Sequence, residues 1–361
     1  MSDSLKGPRT RIDEIDCKLV KLLDERADLA SEIGKAKAAD GLPVFDPARE
    51  DNVLQRALAE SCGSFPHSAL RRVFREIISA SISIQKRLTV GYLGPESTFT
   101  HQAARECFGS SVEFRAFRTI PEIFEAVEKE SVDFGVVPVE NSIQGSVFAT
   151  LDCLVDSGLR IIGEKRLRIE HCLISAEPLE TITKVYSKDQ ALGQCRLWLS
   201  RHLSKADLIE APSTAQAVEI ASKEAGAAAI ASSLSAAEYG LPVIEKGIQD
   251  ASNNRTRFLV LGRPGAVRET EEGLVRTALV LSLPDEPGAL QKALSPFAMK
   301  GINLSHIESR PSRKKPWEYL FFIEFSGHER SSPVADVLEE LNDVCPFVKI
   351  LGSFPFADAL D

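Results

Sequence analysis

The sequence lacks several features that mark secreted, membrane-spanning, metal-binding and nucleic-acid-binding proteins. Its 361 residues contain no run of eighteen apolar residues, and MSDSLKGPRTRIDEID at the start has no apolar signal-peptide segment. The seven cysteines include no CxxC pair and no His/Cys cluster at metal-ligand spacing. The net charge of −9 disfavours a nucleic-acid surface. We therefore expect a cytoplasmic protein with reduced, buried thiols that binds no metal, nucleic acid or membrane.

A dinucleotide-binding fingerprint is also missing, because no GxGxxG follows any predicted strand. We therefore expect no nicotinamide cofactor. The composition, 43% apolar and 26% charged, is that of a globular protein. A chain of this length exceeds what one hydrophobic core supports, which suggests two to three domains.

Residues 5–88 have helical periodicity. Apolar residues at Ile12, Ile15, Leu19, Leu22, Ala30 and Ile33 predict one buried stripe on a helix of more than twenty-five residues that ends before Pro43. Asp46 and Pro47 have the types preferred at the N-cap and first position of a second helix. A third helix is predicted from Leu70 to Leu88. Because three such helices bury little surface alone, we expect dimerisation.

Polar residues interrupt the apolar stripes of all three predicted helices. Arg26 and Lys37 fall in the buried phase of the first helix, Glu50 in that of the second, and Ser81 and Gln85 in that of the third. Unpaired buried charges are costly, so these groups need each other or a ligand. The alternative for each is a boundary residue whose polar end reaches water.

Residues 89–265 alternate between strand-like and helical stretches, which predicts an α/β fold with a parallel or mixed sheet and two lobes around a cleft. Three polar strings lie at predicted strand ends: GYLGPESTFTHQAA at 91–104, VPVENSIQGS at 137–146 and NNRTRF at 253–258. Loops of this kind place N–H groups and hydroxyls around a small polar ligand.

Residues 275–361 follow a βαββαβ order, typical of an open sheet with helices on one face. Strands are predicted at 277–283, 303–309, 317–325 and 348–354, and helices at 289–300 and 334–342. A polar linker at 263–273 precedes them, and the basic loop at 313–315 is predicted to be a solvated hairpin.

Taken together, these motifs resemble the bifunctional chorismate mutase–prephenate dehydratase family of phenylalanine biosynthesis, over nearly the whole chain. The resemblance implies an all-α chorismate mutase domain at 1–88, a bilobal α/β prephenate dehydratase domain at 89–265 and an α+β ACT regulatory domain at 275–361. Two rivals are a mutase fused to prephenate dehydrogenase, which needs a nicotinamide site, and a non-enzymatic amino-acid sensor, which the polar groups in the helical stripes oppose.

For the first domain the resemblance is clearest in DERADLASEIGKAK at 24–37. It implies arginine and lysine contacts to the substrate carboxylates, donation from Lys37 and Gln85 to the ether oxygen, and a hydroxyl contact from Glu50. The implied catalytic residues are Arg9, Arg26, Lys37, Glu50 and Gln85, and the implied substrate-binding residues are Asp46, Arg49 and Ser81. Arg9 and Arg26 lie roughly 25 Å apart along one helix, so Arg9 should enter the site of a partner chain.

For the second domain the resemblance implies that Thr256, within TRF, is catalytic. The implied substrate-binding residues are Thr98, Asn141, Ser142, Ser187, Gln194, Ser213, Thr214, Asn254, Arg257 and Phe258. The alternative for each Ser, Thr or Asn is turn or cap chemistry, and Arg257 either binds a substrate carboxylate or is structural. Pro212 stands where some family members have a glutamate, and Glu210 is the nearest carboxylate.

For the third domain the strings GAL and ESRP resemble the phenylalanine-binding motifs of ACT domains, at an interface between two chains. The implied allosteric residues are Gly288, Ala289, Leu290, Glu308, Ser309, Arg310 and Pro311. The expected partners are chorismate and prephenate as substrates, phenylalanine as effector, and further copies of this chain in a homodimer or higher oligomer, with no cofactor.

Overall fold

The computed structural model describes residues 5–267, 274–312 and 318–356. The chain forms two compact units. Within the described residues the first comprises 5–89, 108–113 and 265–267, and the second comprises the rest. The predicted basic hairpin at 313–315 and much of the predicted linker at 263–273 lie outside the described residues.

The first unit contains three helices, α1 (Lys6–Ala39), α2 (Pro47–Ala59) and α3 (His67–Gln85). Asp46 caps α2 as predicted, with its carboxylate accepting from the backbone N–H of Arg49 at 3.0 Å. Helix α3 begins three residues before the predicted Leu70, directly after Pro66, and ends where Lys86 becomes extended.

Helix α1 packs against α3 only through part of its length. Gly34 is buried there, and a Cβ added to it would lie 2.8 Å from Cγ of Gln85, so glycine permits the close approach. The predicted burial of the α1 stripe is wrong for the single chain: apart from Ala30, its members are 45–60% exposed. The physical reason is length, because α1 has 34 residues and α3 only 19.

The second unit contains three sheets. Its strands are β1 (Thr89–Leu93), β2 (Glu113–Phe117), β3 (Phe134–Asn141), β4 (Gly145–Ser146), β5 (Arg160–Arg168), β6 (Cys172–Ile174), β7 (Lys184–Ser187), β8 (Asp207–Glu210), β9 (Ala227–Ala231), β10 (Val243–Lys246), β11 (Arg255–Gly262), β12 (Val275–Ser282), β13 (Leu304–Pro311), β14 (Tyr319–Ser326) and β15 (Phe347–Pro355). Its helices are α4 (Phe99–Phe108), α5 (Ile120–Glu128), α6 (Phe148–Asp156), α7 (Asp189–Gln194), α8 (Arg196–His202), α9 (Thr214–Ala221), α10 (Ser233–Glu238), α11 (Ala289–Met299) and α12 (Ser332–Val344).

The first lobe is built on a mixed sheet of order β2-β1-β3-β11-β5, with β4 paired to β3. Strands β1 and β3 are parallel, whereas β11 runs antiparallel to both β3 and β5. Helices α5 and α6 pack on this sheet through Ile123, Phe124 and Leu154. The mixed sheet agrees with the α/β prediction.

The second lobe has a sheet of order β10-β6-β9-β7-β8. One core contains side chains from α9 and α10, and another contains side chains from α7 and α8. The chain crosses between the lobes twice, after β5 and before β11, at residues 169–171 and 247–254.

The third sheet has the antiparallel order β13-β14-β12-β15 and carries α11 and α12. All eight residues of β12 are buried, because Leu279 and Leu281 pack with the helices while Ala278 and Val280 pack against the first lobe. The βαββαβ prediction is confirmed, with the described element ends within two residues of those predicted. The predicted strand start at Trp317 lies outside the described residues.

Among the described residues, no helix is long and apolar enough to cross a membrane. The same residues contain no group of three or more His, Cys, Asp or Glu side chains arranged to hold a metal ion.

Candidate active sites

In the first unit the predicted polar residues converge from all three helices. Arg26 on α1 donates to the hydroxyl of Ser81 on α3, and Gln85 Nε2 donates to the backbone oxygen of Ser81 at 3.2 Å. Lys37 Nζ donates to Val44 O at 3.0 Å, across the loop between α1 and α2. The chain thus brings cationic and amide donors to one region.

Glu50 is the buried acid of this region, with 8% of its surface exposed. Its Oε2 accepts from Nη1 of Arg75 at 2.7 Å, while its Oε1 is buried and has no hydrogen-bond partner among the described residues. Burial raises the pKa of Glu50 to about 7, against the opposing charge of Arg75. Sequence reasoning missed Arg75, although its spacing from the buried Ile78 and Ile82 places it on the same helix face.

Two further predicted residues are exposed. Arg49 is exposed, and its backbone N–H makes the capping bond to Asp46. Arg9 is exposed near the start of α1. Because α1 is one continuous helix, Arg9 lies roughly 25 Å along its axis from Arg26.

In the second unit a cleft of about 930 Å³ lies between the two lobes. Eight of the eleven residues predicted for this domain line it: Thr98, Asn141, Gln194, Ser213, Thr214, Asn254, Thr256 and Phe258. Five of them belong to the three polar strings, near the ends of β3 and β11 and the start of α4, whereas Gln194, Ser213 and Thr214 come from the end of α7 and the start of α9.

Thr256 lies opposite Asn141 in the pairing of β11 with β3. Nδ2 of Asn141 donates to Oγ1 of Thr256 at 2.9 Å. The hydroxyl oxygen therefore already accepts a hydrogen bond, which leaves its own proton available to an acceptor in the cleft.

Two other cleft residues use their hydroxyls at helix starts. Thr98 Oγ1 donates to Leu93 O at 3.0 Å, before α4. Ser213 caps α9 by accepting from the backbone N–H of Gln216 at 3.1 Å. Both observations fit the alternative of turn or cap chemistry, and both residues also line the cleft.

Three predicted residues do not line the cleft. Ser142 Oγ bonds the backbone at residues 253 and 255, at 3.2 and 2.9 Å, and Ser187 Oγ donates to Ile230 O at 2.6 Å. Arg257 faces away from Thr256 along β11, as alternate residues of a strand must. These placements favour the structural alternative for all three.

Arg257 belongs to a buried cluster of two arginines and two glutamates. Its Nε lies 2.6 Å from Glu164 on β5, and its Nη1 lies 2.8 Å from Glu324 on β14. Arg276 on β12 approaches the same two carboxylates at 3.4 and 3.5 Å. All four side chains are no more than 10% exposed, so the first lobe and the third sheet are joined by a buried ion cluster.

Some cleft residues were not predicted. Arg118, Lys188 and His171 line the cleft, and the acid that lines it among the described residues is Glu219 rather than Glu210. Lys188 lies within YSKDQALGQC, directly after the predicted Ser187 and six residues before the predicted Gln194, so its position could have identified it. Cys195 follows Gln194, and burial raises the pKa of its thiol to about 12, which opposes a nucleophilic role.

The GAL and ESRP strings lie on different elements of the third sheet. Gly288 has φ +83° just before α11, a left-handed conformation that favours glycine. Of its neighbours, Ala289 is buried, whereas Leu290 is 38% exposed. On edge strand β13, Ser309 and Pro311 are exposed.

Glu308 and Arg310 alternate with these exposed positions and contact the first lobe. Glu308 accepts from the hydroxyl of Ser146. Arg310 donates to Phe148 O and to Asp152, both at 2.7 Å. Two side chains of the ESRP string therefore bind the segment that follows Asn141.

Comparison with known proteins agrees with these three parts. Family profiles match residues 8–86 (chorismate mutase type II), 90–266 (prephenate dehydratase) and 277–343 (ACT domain). The bifunctional chorismate mutase/prephenate dehydratase of Aquifex aeolicus is 44% identical, covering 98% of this chain and 99% of its own. The protein of the same description from Pseudomonas aeruginosa is 40% identical, covering 98% of each chain.

Among solved structures, the prephenate dehydratase of Arthrobacter aurescens, in complex with L-Phe, superimposes with a TM-score of 0.69 at 37% identity. It covers 75% of this chain and 91% of its own. Full-length relatives at this identity, together with three family domains in the same order, show that this chain belongs to the bifunctional chorismate mutase/prephenate dehydratase family.

Proposed function

We propose that the chain converts chorismate to phenylpyruvate in two steps, carried out by separate domains. The helical domain, residues 1–88, rearranges chorismate to prephenate. The two-lobed domain, residues 89–265, removes water and carbon dioxide from prephenate, and residues 275–361 regulate it. The observation that carries the proposal is the hydrogen bond from Asn141 to Thr256, which leaves a hydroxyl proton available at the wall of the cleft.

The mutase step is a pericyclic rearrangement, so the domain needs no nucleophile. It needs donors at the oxygen that gains negative charge and contacts that hold a compact substrate conformer. We assign donation to this oxygen to Lys37 and Gln85. Gln85 can supply a hydrogen because Ser81 O accepts only one of the two hydrogens on its amide. We assign the substrate hydroxyl to Oε1 of Glu50, which is buried without a protein partner among the described residues. Arg26 contacts a carboxylate.

The mutase site includes Arg9 of a second copy of the chain. The distance between Arg9 and Arg26 along α1 exceeds the span of one small dicarboxylate. The exposed apolar stripe of α1, including Ile12, Leu19 and Ile33, supports this proposal because a second copy would cover it. Asp46 and Arg49 would complete the site at the start of α2.

The dehydratase step breaks two bonds of prephenate. The ring carboxylate leaves as carbon dioxide, and the electron pair of the broken C–C bond enters the ring. The ring C–O bond breaks, and the departing hydroxide becomes water by taking one proton from solvent. Thr256 donates a hydrogen bond to the departing oxygen, and so stabilises charge that develops in the transition state.

Phenylalanine regulates the dehydratase through residues 275–361. Two observations support this proposal: the GAL and ESRP strings, and the L-Phe complex of the dehydratase relative from Arthrobacter aurescens. A ligand bound near β13 could act on the cleft through Glu308 and Arg310, which contact residues 146–152. We place the enzyme in the cytoplasm, where its substrates and reduced thiols belong.

The decisive experiment is incubation of the purified chain with chorismate and no added cofactor. Appearance of prephenate followed by phenylpyruvate, measured by absorbance and chromatography, supports both steps. A protein that needs NAD and forms hydroxyphenylpyruvate would be a dehydrogenase instead. A protein that binds phenylalanine and leaves chorismate unchanged would be a sensor.

A further inference from the structure

A line of hydrogen-bonded polar side chains runs along the cleft from Thr256 to His171. Asn141 Nδ2 donates to Thr256 Oγ1 at 2.9 Å and to Asn254 Oδ1 at 2.8 Å. Asn254 Nδ2 donates to Gln194 Oε1 at 3.1 Å, and His171 Nε2 lies 2.8 Å from the same oxygen. The line joins both lobes, since His171 and Asn254 lie in the two crossover segments.

The orientation of the first amide is set by the backbone. Oδ1 of Asn141 lies 3.0 Å from the N–H of Ile143 and 3.1 Å from the N–H of Gln144. A backbone N–H can only donate, so the atom of Asn141 that meets these two groups must be its oxygen. The Nδ2 of Asn141 is therefore the atom that faces Asn254 and Thr256.

This orientation propagates along the line. Because Asn141 donates to Asn254, Asn254 must present its oxygen to Asn141 and its Nδ2 to Gln194. Gln194 must then accept with Oε1, so its own Nε2 points away from Asn254. That Nε2 is buried and has no hydrogen-bond partner within the described residues, and Gln194 lines the cleft.

The tautomer of His171 follows from the same reasoning. Gln194 presents an oxygen, so Nε2 of His171 must carry the proton and donate. His171 is 3% exposed, and its ring meets the edge of Phe99 with centroids 5.6 Å apart. Burial lowers the pKa of His171, although the bond to Gln194 opposes this shift, and the lowered pKa favours the neutral ring. A neutral ring keeps the N–H group that donates to Gln194 and adds no charge to the cleft.

We propose that His171 is a positioning residue of the dehydratase: with Asn254 it holds Gln194 so that the Gln194 amide donates to the side-chain carboxylate of prephenate. This inference rests on the proposed dehydratase function. The side-chain carboxylate is the appropriate acceptor because it keeps its charge throughout the reaction. The ring carboxylate loses its charge as carbon dioxide forms, and a donor held against it would oppose the step. Gln194 therefore contributes equally to substrate and transition-state binding, whereas Thr256 acts on the departing oxygen.

The test compares KM and kcat for prephenate in the full chain. His171→Phe keeps a planar ring and removes the donor, and His171→Gln places an amide nitrogen near the position of Nε2. We expect His171→Phe to raise KM roughly tenfold with kcat within about threefold, since the bond from Gln194 to the charged carboxylate is weakened and part of it survives. His171→Gln should restore KM to within about threefold of wild type.

A second variant tests the same idea without changing the histidine. Gln194→Glu keeps the oxygen that accepts from Asn254 and His171 and replaces only the amide nitrogen. KM should rise more than in His171→Phe, because an anion then faces the substrate carboxylate. His202→Phe is the matched control, since His202 is exposed and stacks on Trp198 outside the cleft, and its KM should not change.

The outcomes separate this inference from the function on which it rests. If the wild type forms no phenylpyruvate, the proposed function fails. If the wild type is active but His171→Phe and His171→Gln have equal KM values, or if the loss appears in kcat alone, the positioning role is overturned. If His171→Phe does not fold, judged by thermal melting, an unchanged KM in Gln194→Glu overturns the proposal and a raised KM supports it.

Discussion

Replacing Arg257 by methionine should destabilise the second unit strongly, because Arg257 occupies the centre of the buried ion cluster. Its guanidinium lies 2.6 Å from Glu164 and 2.8 Å from Glu324, and methionine keeps a shorter, unbranched apolar chain without the charge. Arg276 lies 3.4–3.5 Å from the same carboxylates. The variant thus leaves the two buried carboxylates with Arg276 and with the 34% exposed Arg166, which lies 3.5 Å from Glu164, and removes the arginine that is nearest to both.

The expected magnitude follows from the burial of the cluster. Removing one partner of a buried ion pair costs about 3–5 kcal/mol, because the other charge stays desolvated. For a unit of roughly 250 residues each kcal/mol lowers the melting temperature by about 2–4 °C, so we expect a decrease of roughly 6–20 °C.

Calorimetry of the full chain provides the assay. Lys129→Met is the matched control: Lys129 and its partner Glu125 are 70% and 59% exposed, and such exposed pairs contribute little to stability. The double variant Arg257→Met/Glu324→Gln removes one charge of each sign and should recover part of the loss. If Arg257→Met has the melting temperature of the wild type but a raised KM for prephenate, Arg257 binds substrate and the structural interpretation is refuted.

Four further predictions concern the two active sites and their regulation. Thr256→Val should lower dehydratase kcat by about 100-fold or more and leave mutase activity unchanged, and a change of only a few-fold would remove Thr256 from the mechanism. Inactive Arg9→Ala and Arg26→Ala homodimers, mixed and reassociated, should regain roughly a quarter of the mutase sites; no recovery after confirmed exchange would argue against a shared site. Burial raises the pKa of Glu50 to about 7 from 4.5, so ionisation should lower stability by up to about 3 kcal/mol as pH rises across that window. Glu50→Gln should reduce this pH dependence of the free energy of unfolding, measured with urea. A pH dependence equal to that of the wild type would contradict the prediction. Gly288→Val should abolish inhibition of the dehydratase by millimolar phenylalanine, because valine is strained at φ +83°; full inhibition would place phenylalanine elsewhere.

Local chemistry explains why much of the fold could be predicted from the sequence. Asp46 and Pro47 start α2 through a cap and a missing N–H, and Gly288 ends the turn before α11 with a positive φ. These signals depend on neighbouring residues alone. The exposure of Ile12 and Leu19 could not be predicted in this way, because it depends on how far α3 extends beside α1.

The candidate sites were predictable to a similar extent. The polar strings at strand ends contain five of the eight cleft residues, since turns collect side chains at one edge of a sheet, and Gln194, Ser213 and Thr214 came from the family resemblance alone. His171 lies in a crossover between lobes and has no distinctive neighbours in sequence. The partners of Arg257 are 93 and 67 residues away, so its ion pairs become visible only when β5, β11 and β14 are assembled.

Strand β11 explains how one segment can serve both catalysis and regulation. Alternate residues of a strand face opposite sides, so Thr256 and Phe258 line the cleft while Arg257 between them reaches the third sheet. The neighbouring strand β3 ends at Asn141, and the chain continues through Ser146, which Glu308 holds. The third sheet therefore contacts both segments that orient the Thr256 hydroxyl: β11 through Arg257, and the chain after Asn141 through Ser146. A regulatory ligand that favours one position of that sheet would act on kcat, whereas the donor held by His171 would chiefly set KM.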